Sequence, residues 1–119
     1  MREDILEQFE SILESINLIQ NRFSSIKDPD DFVNSETGTL VLDGISMRLQ
    51  NIGEQIKSID KLDNKLLEKH NEIQWSEIMK LRDIISHHYD SIDHEEIYSI
   101  CSEDIPHLRT VIEKIIKEK

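Results

Sequence analysis

Eight consecutive residues, Arg82-Asp83-Ile84-Ile85-Ser86-His87-His88-Tyr89, gather an arginine, a carboxylate, two histidines and a tyrosine. Those types suit proton transfer and phosphate binding. A histidine near its ordinary pKa of about 6.5 exchanges protons at neutral pH. An arginine pairs with phosphate oxygens through its planar fork and stabilises charge that develops on them. An RNA strand carries its own nucleophile, the 2′-OH. A base beside that hydroxyl and a cation on the phosphate are then enough for cleavage, and no metal is required.

On a helix, residues three, four or seven apart share a face. Asp83 therefore reaches His87 one turn on, where it would accept a proton from one ring nitrogen and fix the tautomer. Arg82 and Tyr89 are nearly eclipsed if the helix continues that far. Arg82 and His87 diverge by about 140° on an ideal helix. They can flank one cleft, but both point at its centre only if the last turn unwinds or a second chain closes the site.

Taken singly, each residue has a plainer explanation. Arg82 alone reads as a solvated helix arginine, and His87 or His88 as helix-end residues favoured by the macrodipole. Tyr89 near a helix end reads as packing with a wet hydroxyl. A second group, His88, Asp90, His94 and Glu95, fits no standard zinc spacing and reads as exposed polar sequence. Cys101 reads as a seam residue, with nothing nearby to lower its pKa. The joint spacing of the octet is what points to chemistry.

The surrounding sequence reads as helical scaffold. Ile5, Phe9, Ile12, Ile16, Ile19 and Phe23 alternate at four and three, which predicts a helix over 3–25. Asp28 before Pro29 predicts a short helical turn through Val33. Leu42, Ile45, Leu49, Ile52, Ile56 and Ile59 predict a second long helix over 37–60. Gly44 and Gly53 lie inside it, as glycines do where another helix approaches closely. A shorter helix over 63–70 follows an Asp63 cap. Trp75, Ile78, Leu81 and Ile85 stripe a helix that runs to His87 and delivers the octet at its end. Asp93 with Glu96 reads as a capping box, with Ile92 and Ile97 as its staple. Pro106 falls inside the final pattern, which predicts a break at 103–105 and a new Asp104 cap before Leu108, Ile112 and Ile115.

The 119 residues fit a single domain over 1–119, and with only three Gly and two Pro they point to an all-α fold. The expectation is an antiparallel bundle of four main helices with short extra helices. A formal charge of −11 argues against a broadly basic nucleic-acid or membrane-binding face, but leaves room for a local basic cleft. One cysteine, no visible secretory signal and no apolar run of membrane-spanning length predict a cytoplasmic protein without a membrane partner.

Arg82-x4-His87-x-Tyr89 is the signature of the HEPN superfamily, and the chain resembles its HepT-like branch. Three further segments carry the resemblance in order. Arg48-Leu49-Gln50-Asn51-Ile52-Gly53-Glu54 is similar to the family's second-helix segment with its Gly-Glu pair. Trp75-Ser76-Glu77-Ile78 precedes the arginine as the family's tryptophan segment does. Asp104-Ile105-Pro106-His107-Leu108 matches its terminal element. Where the family carries a polar residue after the arginine, often Asn, this chain has Asp83, which adds negative charge.

The resemblance implies a homodimer that brings two octets around one cleft, and a metal-independent endoribonuclease toxin without a cofactor. It implies an RNA substrate and control by a minimal nucleotidyltransferase antitoxin. Arg82 would hold the scissile phosphate, His87 would act as base or acid, and Asp83 would orient His87. His88 and Ser86 would line the cleft, and Tyr89 would be the residue the antitoxin adenylylates. The rival reading is a non-catalytic helical dimer that binds a partner protein or a nucleotide, which the acidic balance favours.

Overall fold

Ile5, Phe9, Ile12, Ile16 and Ile19 form one buried seam along α1 (Glu3–Phe23), because apolar residues spaced three and four apart present a single stripe to the core. The computed structural model describes residues 1–87 and 92–118, and within them the side chains of Ile84, Ser86 and His87 are not described. A 3-10 turn (Pro29–Phe32) follows α1, capped reciprocally by Asp28 and Asp31. Backbone N–H groups of Lys27 and Asp28 donate to the Asp31 carboxylate and hold its pKa below the usual range.

Helix α2 (Glu36–Leu62) starts where the Ser35 hydroxyl accepts from the Gly38 amide at 3.0 Å. Its stripe from Leu42 to Ile59 is buried between α1 and α4 (Trp75–His87), making α2 the central rod of the bundle. The short helix α3 (Asn64–Glu68) turns the chain, with Asp63 as its cap. The Trp75 indole N–H then donates to the His70 carbonyl at 2.9 Å and fixes where α4 begins. Buried Ile78, Leu81 and Ile85 continue along α4 to the octet.

The fourth rod is α5 (His94–Ser99), a π-helical turn (Ile100–Asp104) and α6 (Ile105–Lys117), which run on without a break. Asp93 accepts from the amides of Glu95 and Glu96 at its start. The Tyr98 hydroxyl donates to the Lys27 carbonyl at 3.0 Å, tying this rod to the link between α1 and α2. Ile105, Leu108, Val111, Ile112 and Ile115 are buried in the core, and α6 packs on α1. No strand occurs among the described residues. The protein is an all-α antiparallel bundle of four main helical rods with short extra helices.

Two expectations are corrected. The break predicted at 103–105 does not occur, and Asp104 keeps helical dihedrals without a side-chain cap. The chain absorbs Pro106 by widening one turn, so that the Ile105 amide bonds to the Ile100 carbonyl five residues back. A wider turn relieves the clash of the proline ring with the preceding turn and keeps the rod continuous. Gly44 does not mark a close helix approach either. A Cβ there would meet only the Arg22 side chain, at an ordinary 3.5 Å. Gly53 behaves as expected, with consequences for Arg82.

Candidate active site

Gly53 lies against the backbone of α4. A Cβ at this position would fall 2.9 Å from the Arg82 amide nitrogen and 3.0 Å from the Ile78 carbonyl oxygen. Only a residue without a side chain lets the two helices touch here. The contact fixes the root of Arg82 and places the next residue of α2, Glu54, beside its guanidinium. Arg82 Nε donates to Glu54 Oε1 at 2.8 Å, a charge-assisted bond between two half-exposed side chains.

Asp83 stands on the other side of the same guanidinium, with Oδ1 3.5 Å from Arg82 Nη1. Of the five N–H donors of an arginine, these contacts engage Nε–H and one on Nη1. The remaining donors have no partner among the described residues. Arg82 is thus held by its root and its Nε, which leaves most of its outer fork available to an anion.

His87 is the last residue of α4, so the helix carries the motif through Arg82-x4-His87 as the stripe predicts. The side chains of Ser86 and His87 are not among those described, and His88, Tyr89 and Asp90 lie outside the described residues. The contact seen for Asp83 is with Arg82.

Glu54 is the residue that reading the sequence left without a role. It stands 28 positions from Arg82, beyond the reach of helical spacing. Its signal was its place directly after a glycine expected at a close helix contact.

Cys101 is buried, and burial pushes its thiol up to about 12, which suits packing rather than nucleophilic chemistry. His94 Nε2 sits 3.9 Å from Asp30 Oδ1. Among the described residues no group of three or more His, Cys, Asp or Glu is placed to hold a metal, and no helix is long and apolar enough to cross a membrane.

The family model "Ribonuclease HepT-like" matches residues 8–115. The chain belongs to the HepT-like ribonuclease family. "Probable ribonuclease HepT" of Thermococcus cleftensis is 30% identical over 117 residues, covering 98% of this chain and 100% of that protein. "Gamma-glutamylcyclotransferase and putative RNase" of Methanocaldococcus jannaschii is 36% identical over 118 residues, covering 99% of this chain. This chain spans only 50% of that larger relative. A second M. jannaschii protein, a "Putative RNase", is 29% identical over 112 residues, covering 94% of this chain and 96% of the relative. No solved structure matches the chain.

Proposed function

We propose that this HepT-like protein is a metal-independent endoribonuclease whose site is the Arg82–Tyr89 segment. The observation that carries the reading is the tethered arginine. A Glu54-anchored, half-exposed Arg82, five residues before a helix-terminal histidine, suits a phosphodiester that supplies its own nucleophile. Arg82 holds a non-bridging phosphate oxygen, and His87 takes the 2′-OH proton or delivers one to the leaving 5′ oxygen. The 2′ oxygen attacks phosphorus, the P–O5′ bond breaks, and a 2′,3′-cyclic phosphate remains.

Arg82 and His87 are about 140° apart on an ideal helix, which supports a cleft completed by a second copy. Exposed Leu40 and Met47 share a face of α2, and Met47 lines a small hollow with Ile85 beside the octet. Such an apolar patch next to the site favours a homodimer interface. RNA incubated with the protein in EDTA should yield fragments ending in a 2′,3′-cyclic phosphate. Activity that vanishes in EDTA and returns with added divalent metal would refute this mechanism.

The same reading extends to control, with the protein as a toxin held by a minimal nucleotidyltransferase antitoxin that adenylylates Tyr89. An AMP group there would set a negative phosphate and a nucleotide's bulk where an RNA phosphate must approach. Co-expression with such an enzyme should add the mass of AMP at Tyr89, and Tyr89→Phe should remain active beside it. Full silencing of that variant would show control by binding alone.

A further inference from the structure

A cavity of about 360 Å³ opens between α4 and the rod that carries the π turn. It is of the size of a small-molecule site. Its apolar lining comes from Ile73, Ile78 and Leu81 on one wall and from Ile100 and Ile105 on the other. Carboxylates occupy both walls as well, Glu72 and Glu77 on the first, Glu96 and Asp104 on the second.

The charges do not cancel. Glu77 pairs with Lys80 and Glu72 with Lys114, each at 3.3 Å. Glu96 and Asp104 have no ion-pair partner among the described residues. Glu103 adds a further negative charge beside Asp104; desolvation and then that neighbour raise the pKa of Asp104, and His107 offsets them in part. The His107 ring faces the Glu72 carbonyl, with Nε2 at 3.0 Å.

This chemistry selects its occupant. An anion is repelled by both walls, and so is a second copy of a chain with a formal charge of −11. The acids do not converge as a metal ion requires. What fits is an extended cation whose charges are separated by apolar stretches. We propose that this cavity binds a linear aliphatic polyamine, with its methylene segments on the isoleucine and leucine floor and its ammonium groups between the opposed carboxylates. The inference is independent of the ribonuclease reading: of the octet residues whose side chains are described, Arg82, Asp83 and Ile85, none lines the cavity.

Spermidine titrated calorimetrically into the intact protein at low salt should bind one to one with a Kd tighter than about 1 mM. Glu77→Gln with Glu96→Gln, one exposed acid from each wall, should weaken binding at least about ten-fold, the loss expected for one charge-assisted contact. Glu7→Gln with Glu10→Gln on α1, which removes the same charge elsewhere, should leave it unchanged. Circular dichroism melts of both double variants establish that they are folded. Nα-acetyl-lysine amide, with a single ammonium on a methylene stem, should bind far more weakly than spermidine. Three results would overturn the proposal: no spermidine binding, equal weakening by the two double variants, or lysine amide binding as tightly as spermidine. The last would mean that the cavity reads a single lysine side chain of a protein partner.

Discussion

Arg82→Ala should lower RNA cleavage by about 10³-fold, the range observed when a preorganised donor to a developing oxyanion is removed. The fold should be unchanged, because Arg82 is half-exposed and its truncation leaves no cavity in the core. Arg82→Lys should recover little. A lysine ammonium can replace the charge, but it cannot bond Glu54 through one edge and a phosphate through the other. His87→Ala should cost about 10²- to 10⁴-fold, as expected for the loss of a general acid–base group. Glu54 acts differently, as a positioning residue. Glu54→Gln keeps an oxygen to accept from Arg82 Nε, so kcat should stay near wild type, while KM for RNA should fall as a competing negative charge is removed. Glu54→Ala frees the guanidinium, and kcat should drop. Single-turnover cleavage assays on the variants separate these effects. Equal kinetics for Glu54→Gln and Glu54→Ala would show that the 2.8 Å contact does not position Arg82.

The fold was legible because its information is local and periodic. The seams of α1, α2, α4 and α6 repeat at three and four, and caps at Asp28, Asp63 and Asp93 punctuate them. Pro106 misled because a proline removes a backbone donor whether the helix stops or widens. Which outcome follows depends on whether buried Ile100, Cys101 and Ile105 can stay packed through a π turn, a tertiary matter. Gly44 and Gly53 are equally ambiguous in sequence. Both lie inside α2, but of the two only Gly53 faces the backbone of another helix.

The site divides along the same line. The order Arg82, Asp83, His87 along one helix end is visible as spacing, and α4 does extend to His87. The partner of Arg82 is not, since it comes from another helix and depends on how closely α2 and α4 approach. Asp83 illustrates the limit. One turn of helix would put it in reach of His87, whose side chain lies outside those described, and its described contact is with the adjacent guanidinium, at 3.5 Å. The acidic cavity was hidden because its walls come from α4, the segment before it and the π turn.

Gly53→Ala should destabilise the protein, the reverse of what alanine does in an ordinary helix interior. An exposed glycine-to-alanine change gains up to about 1 kcal/mol from helix propensity. Gly44→Ala supplies that reference, because its Cβ would meet only a movable arginine side chain at 3.5 Å. At Gly53 the new methyl would lie 2.9 Å from the Arg82 amide nitrogen and 3.0 Å from the Ile78 oxygen. Both are backbone atoms of α4, so relief requires the helix itself to move, at about 1–3 kcal/mol for overpacking of this kind. Gly53→Val should cost more, since a second branch enters the same gap. The displacement acts at the root of Arg82, so cleavage should fall even where denaturant titration shows the variants fully folded. Stability and activity are thereby coupled at one position, through the root of Arg82. Gly53→Ala gaining stability as Gly44→Ala does, with full activity retained, would mean that α2 and α4 have slack at this contact and that the glycine does not set the arginine's place.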